Sequence, residues 1–261
     1  MDEPTPIWVR TNGHGETCCL IGNLAGYLVE ERGFGRTDHI PQDTKHFSLE
    51  SVNQNQNFVE DLIAAHIPSQ LIGLSIGGNS ESPNSFNYVP AVTQFGTVEY
   101  PELKFLSLGD YELHCNQDPI YGDLGLITPL LNRCPLLREL SIQGMFDLVQ
   151  PFDLPELQKA DISFFPGQIL GVVRRPTQLT VNSVFRSPFP RIEELLIDFH
   201  LSWTEQLMTI DLNSNDPFQL AEEFLANNSW RGLREIEING RFAPVLSEFN
   251  FSDNARRNIQ I

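Results

Sequence analysis

Along residues 68–242 the chain repeats one arrangement of apolar and polar positions. Leu71-x-x-Leu74-x-Ile76, Leu103-x-x-Leu106-x-Leu108, Leu137-x-x-Leu140-x-Ile142, Leu157-x-x-Ala160-x-Ile162, Ile192-x-x-Leu195-x-Ile197 and Leu233-x-x-Ile236-x-Ile238 share it, and Leu179-x-Val181 is a weaker copy. The residue between the last two apolar positions is Ser75, Ser107, Ser141, Asp161, Thr180, Leu196 or Glu237, polar in six of seven. That is the period-2 alternation of a strand with one buried face. In four copies a proline, Pro101, Pro135, Pro155 or Pro190, stands two residues ahead of the first apolar position. Proline fixes φ and lacks an N–H, so it suits the turn into a strand and not the strand's middle. Each copy therefore predicts one short strand, with its apolar pair turned to the core.

The anchors at 74, 106, 140, 160, 179, 195 and 236 are spaced 32, 34, 20, 19, 16 and 41 residues apart, so the longer returns need helices. Asn57 is a cap for a helix through His66, with Phe58, Leu62, Ile63 and His66 on one face. Thr128 is a cap for a short helix with Pro129 first, and Asp216 for another that begins at Pro217 and turns Leu220, Phe224 and Leu225 inward. Between 137 and 197 the copies are too close for a long helix, so extended or 3₁₀ returns are expected. Residues 1–52 lie outside the repeat. Ile7 to Val9, Cys18 to Ile21 and His46 to Val52 read as short strands of an N-terminal capping region that shields the first repeat's edge. Residues 53–250 form the repeat domain, the polar segment 77–87 a loop, and 251–261 a loose tail.

These copies resemble the leucine-rich-repeat family, whose pattern is L-x-x-L-x-L-x-x-N/C, and more narrowly irregular bacterial cytoplasmic members with no assigned activity. The resemblance implies an α/β fold: a short, irregular solenoid with a parallel sheet on its concave face and helices or loops on its convex face. Two features depart from the pattern. Regular members repeat every ~20–29 residues, and the asparagine position holds Asn79 but elsewhere Tyr111, Met145, Phe165, Val184, His200 and Arg241.

Charge narrows the class of partner. Seventeen Lys and Arg stand against 34 Asp and Glu, a net −17. A phosphate-binding surface needs the opposite sign, so nucleic acid is not expected as a partner. Residues 1–130 hold five of the basic residues and 17 acidic ones. Such an imbalance serves solubility, or it steers a basic partner. No apolar run reaches the length of a membrane span, and Met1-Asp2-Glu3-Pro4 lacks a basic-then-apolar leader. No membrane partner and a cytoplasmic location are expected. Cys18, Cys19, Cys115 and Cys134 form no C-x-x-C, which fits buried free thiols in a reducing compartment.

The search for chemistry is mostly negative. His14 with Cys18 and Cys19, and His114 with Cys115 and Cys134, match no zinc spacing, and neighbours on a strand point to opposite faces. Gly73-Leu74-Ser75-Ile76-Gly77 has the spacing G-x-S-x-G, but it lies within a strand copy that runs into a polar loop, not at the strand-to-helix turn that a nucleophile elbow needs. Cys115 with His114, His200 or His66 is the best nucleophile pair, but nothing in the chain brings them together, and His66 sits on an apolar helix face. Gly13-x-Gly15 opens no helix, and Gly77-Gly78 is followed by no Lys-Ser/Thr, so neither cradles phosphate. No catalytic residue, cofactor or metal is expected. Phe164, Phe165, Phe185 and Phe189 fit core or return-loop packing better than an exposed patch.

The expected function is that of a non-catalytic module that binds a protein partner through its concave sheet. An acidic neutraliser of a basic enzyme, of the immunity type, is the alternative; a Cys/His hydrolase is the third. Pleat geometry names the binding surface, since the residues flanking the inward pairs face the other way. The partner-binding candidates are Phe105, Ser107, Glu139, Ser141, Gln143, Asp161, Glu194, Asp198, Glu235 and Glu237. The last two strands carry Glu194, Asp198, Glu235 and Glu237 and no base, so this end is expected to engage basic groups.

Overall fold

The computed structural model describes residues 7–11, 17–22, 45–50, 67–77, 87–109, 122–165, 167–169, 172–199, 217–226, 228, 232–239 and 256–258. Six strands fall on the strong copies: β4 (Gly73–Ile76), β5 (Phe105–Gly109), β7 (Glu139–Asp147), β8 (Lys159–Phe164), β11 (Glu194–Phe199) and β12 (Glu235–Asn239). They lie side by side, parallel and in chain order. One register runs through all of them, Leu74–Leu106–Leu140–Ala160–Leu195–Ile236, with Ile76–Leu108–Ile142–Ile162–Ile197–Ile238 two residues on. All twelve are at most 5% exposed.

The N-terminal strands join the same sheet. β1 (Ile7–Thr11) and β2 (Thr17–Gly22) pair antiparallel at its edge, and β3 (His46–Glu50) lies parallel between β2 and β4. Phe47 and Leu49 share the register of Leu74 and Ile76. β3 thus continues the register of the strands on the strong copies. At the other edge β13 (Arg256–Asn258), within the tail expected to be loose, pairs parallel with β12. Two features fell outside the pattern: β6 (Asp123–Leu126), which pairs with the far end of β7, and the antiparallel ribbon of β9 (Gly167–Ile169) and β10 (Val172–Arg174). Arg174 pairs with both Asp123 and Asp147, which ties the ribbon to β6 and β7.

Each proline does the same job. In Tyr100-Pro101-Glu102-Leu103, Cys134-Pro135-Leu136-Leu137, Leu154-Pro155-Glu156-Leu157 and Phe189-Pro190-Arg191-Ile192, the fourth N–H donates to the first carbonyl. Proline's fixed φ suits the second position of such a turn. The chain then enters its strand through a repeated fork. The carbonyls of Lys45, Ile72, Lys104, Arg138, Gln158 and Glu193 each accept the N–H groups of two successive residues in the next unit.

Helices cover one face. These are α1 (Val89–Phe95), α2 (Thr128–Leu131), α3 (Gln178–Arg186) and α4 (Pro217–Ala226). Ala91, Val92 and Phe95 of α1, Val181, Val184 and Phe185 of α3, and Leu220 and Phe224 of α4 join the inward strand residues in one core. Aromatic rings stitch its layers: Phe47 to Phe95, Phe152 to Phe189, and Phe185 to Phe224 at 5.3 Å between ring centres. Phe164, Phe185 and Phe189 are buried, as core packing required.

The weak copy at 176–184 is not a strand. Thr177 accepts the N–H of Thr180 and caps α3, which occupies a return expected to be extended. Leu179 is 50% exposed, while Val181, Val184 and Phe185 recur at helical spacing and are buried. Thr128 does not cap α2. Its hydroxyl accepts the N–H of Val149, and Ile127 holds the cap position. The helix expected from Asn57 to His66, the Asp216 cap and most of the 77–87 loop lie outside the described residues.

Candidate functional site

The sheet face away from the helices is open, and it forms a trough of about 750 Å³. Strand register explains its lining. One row runs His46, Gly73, Phe105, Glu139, Lys159, Glu194, Glu235 across seven strands. The next runs Ser75, Ser107, Ser141, Asp161, Leu196, Glu237. Of the partner-binding candidates, Phe105, Ser107, Glu139, Ser141, Asp161, Glu194, Glu235 and Glu237 line the trough. Gln143 and Asp198 do not. They share the face but are 5% and 8% exposed, and Gln143 Nε2 instead donates to Asp161 Oδ2 at 2.7 Å.

The trough has two unlike ends. At the first, Gly73 lies in register between His46 and Phe105. A Cβ there would stand 2.4 Å from His46 Nδ1, so only glycine lets the imidazole lie across β4. The His46 and Phe105 ring centres are 6.4 Å apart, and Phe105 is 39% exposed. His46 is not among the residues that the copies at 68–242 point to, since it lies ahead of them in the chain. Phe47-x-Leu49 was the signal that could have placed it.

At the second end Asp161 stands among carboxylates. Burial raises its pKa above the ordinary carboxylate value; hydrogen bonds from Ser163 and Gln143 lower it, and Asp198 and Glu237 raise it again. Ser163 Oγ donates to Asp161 Oδ1 at 2.7 Å, so both carboxylate oxygens are held in place. The end is acidic but not free of bases. Lys159 Nζ is 3.2 Å from Glu194, and Arg234, one residue ahead of β12, reaches Glu193 at 2.5 Å and Glu194 at 3.1 Å. Glu194 is thus largely compensated from within the chain, and on the far side of β12 the register sets Arg256 of β13 beside the exposed Glu235.

The nucleophile candidates gain no support. Cys115, His114, His200, His66 and His14 lie outside the described residues, as do the side chains of Cys18 and Cys19. Cys134 is buried with its thiol donating to Leu130 O, and burial pushes its pKa up to about 12, so it carries no thiolate at neutral pH. Among the described residues no group of three or more His, Cys, Asp or Glu is placed to hold a metal ion, and no helix is long and apolar enough to cross a membrane.

The architecture these residues define is an α/β fold with a mostly parallel sheet, helices on one face and a polar trough on the other. No protein-family model, curated protein or solved structure matches the chain.

Proposed function

We propose that the chain is a short, irregular leucine-rich-repeat solenoid acting as a non-catalytic interaction module, and that it binds a protein partner through the open face of its sheet. The trough carries this reading. Eight candidate residues from five strands converge on it, and its floor of small side chains lets another surface approach closely. A buried sheet face is apolar, and this one is serine-rich and charged, so it meets water or a polar partner. Site-specific photocrosslinking tests the reading. A photoreactive residue at Ser141 is expected to give a discrete protein adduct in a lysate of the source cells. The adduct is lost when Ser107→Arg is added, and the same group at Leu136 or Val149, outside the trough, gives none. Adducts of equal yield from all positions would refute it.

A second reading rests on Asp161 and Glu237: the partner is a basic enzyme that the chain neutralises. Association that slows steeply as salt is raised favours this narrower reading, because steering between unlike charges is screened by ions.

A further inference from the structure

The lysines and arginines divide into two groups. Arg133, Lys159, Arg174, Arg186, Arg191 and Arg234 each pair with a carboxylate, and Arg175 is engaged as well. Among the described residues Lys45, Lys104 and Arg138 are the cations left without an ion pair. These three share one row. The fork that leads each strand into the sheet links Lys45, Ile72, Lys104, Arg138, Gln158 and Glu193 in order, and Arg234 closes the row. It follows the strand-entry rim of the sheet, one residue ahead of the trough row that begins at His46. Arg234 shows what side chains of this row can reach: Glu193 within the row and Glu194 in the trough.

The two halves of the rim therefore differ. At β11 and β12 it is compensated by its own pair, Glu193 with Arg234. From β3 to β7 it is not. Lys104 and Arg138 are neighbours in the row, one strand gap of ~4.8 Å apart along the backbone, and Lys45 stands two gaps further on. Like charges side by side on neighbouring strands cost stability. The chain has 34 carboxylates to 17 bases, yet it places none in an ion pair with these three. Glu102 and Glu139, nearby in the sequence, are exposed and also without an ion pair. Two exposed apolar side chains accompany the cations: Phe105, next to Lys104, is 39% exposed, and Leu136, two residues ahead of Arg138, is 41% exposed.

We propose that the rim from β3 to β7 docks a short acidic segment of a protein partner, with carboxylates over Lys45, Lys104 and Arg138 and an apolar side chain against the exposed face of Phe105. Charge complementarity carries the choice of occupant: unpaired guanidinium and ammonium groups in a row gain most from carboxylates brought from outside. The three cations span three gaps, about 14 Å, which about four residues of extended chain cover. A long polyanion such as nucleic acid fits less well, since the trough beside the rim carries Asp161, Glu194, Glu235 and Glu237. The proposal rests on the interaction-module reading and adds the charge of the partner at one end of the sheet.

The test is selection of random twelve-residue segments, displayed on phage, against the full chain, with the synthesised winners titrated by fluorescence anisotropy. Winners are expected to carry a run of Asp and Glu beside an apolar residue, and to bind more weakly as salt is raised. Lys104→Glu with Arg138→Glu, in a variant with unchanged circular dichroism, is expected to weaken them by about tenfold or more, and Lys45→Glu alone by about threefold. Arg186→Gln, a cation lost from the helix face, is expected to leave them unchanged. Winners without acidic residues, or acidic winners indifferent to the reversal at Lys104 and Arg138, would overturn this inference. Displacement of acidic winners by a twelve-nucleotide thymidylate strand or by phosphatidylserine vesicles, at lower concentrations than the unlabelled winner itself requires, would also overturn it and make a phosphate polyanion the ligand of the rim. So would failure to select any segment, while the crosslinking at Ser141 would still decide whether a protein docks on the trough.

Discussion

Gln143 and Asp161 stand side by side on β7 and β8, and the amide of the first donates to the carboxylate of the second at 2.7 Å. Gln143 therefore acts on the trough through Asp161 rather than by touching a partner. Asp161 carries the cost of its place. Glu139 and Gln143 face it from β7, Lys159 and Ser163 from its own strand, Glu194 and Asp198 from β11, and Glu237 from the strand beyond.

The pKa of Asp161 is raised in the fold, by burial first and by Asp198 and Glu237 after it. In the window between the unfolded and folded values, the folded chain binds more protons than the unfolded chain, so stability falls as pH rises through it and stays lower above it. Asp161→Asn is expected to melt higher than wild type at pH 7 and to lose that advantage as pH falls below the ordinary carboxylate range. Gln143→Leu removes a bond that favours the charged form, so the Asp161 carboxyl is expected to titrate at higher pH still, as read by carboxyl carbon NMR. An Asp161→Asn variant that melts below wild type at pH 7 would show the carboxylate to be a net stabiliser.

Gly109 ends β5 at φ +91°, a conformation side chains rarely adopt, and a Cβ there would sit 1.7 Å from the Gln143 carbonyl oxygen. Both the strain and the collision fall on Gly109→Ala, which is expected to cost about 3 kcal/mol or more. Urea melts at a single pH measure it. A loss under about 1 kcal/mol would mean that β5 and β7 can part at this end without penalty.

Leu106 and Leu140 are 2% and 3% exposed on the core side, while Ser107 and Ser141 between the apolar pairs face the trough. Leu106→Ala and Leu140→Ala are each expected to cost about 2–5 kcal/mol, through lost transfer energy and the cavity left behind. Ser107→Ala and Ser141→Ala are expected to stay within about 0.5 kcal/mol of wild type. Equal losses at serine and leucine would mean that the sheet is covered on both faces.

The strands were legible from the alternation around Ser75, Ser107 and Ser141, reinforced ahead of the last two by the turn-forming Pro101 and Pro135. The weakest copy misled. Leu179-x-Val181 matches the strand template, yet Val181, Val184 and Phe185 also match a helix, and the Thr177 cap decides between them. The trough was legible from pleat geometry, since side-chain direction follows from parity along a strand. Its charge balance was not. The pairing of Glu194 with Lys159 depends on which strands are neighbours, and that with Arg234 on a residue outside any strand. The burial of Asp198 and Gln143 depends on what covers the strand ends, which no alternation along a single strand encodes.

The charge balance changes which carboxylates a partner should notice. Counted along the strands, Glu194, Asp198, Glu235 and Glu237 are equivalent. In the fold Asp198 is 8% exposed, and Glu194 is paired to Lys159 and Arg234. Glu235 and Glu237, two residues apart on β12, both line the trough, with Arg256 of β13 in register beside Glu235. Glu235→Lys with Glu237→Lys is therefore expected to slow association with a basic partner, by about tenfold at low salt and much less at high salt, with dissociation less affected. Glu194→Lys is expected to act differently, since it places a third base beside Lys159 and Arg234 and lowers stability as well as binding. Stopped-flow association rates at two ionic strengths, with melts on the same variants, separate the two effects. Equal rate losses at high and low salt for the double reversal would mean that these side chains act by contact rather than by steering. Unchanged rates from a folded double variant would move the site to the His46 and Phe105 end.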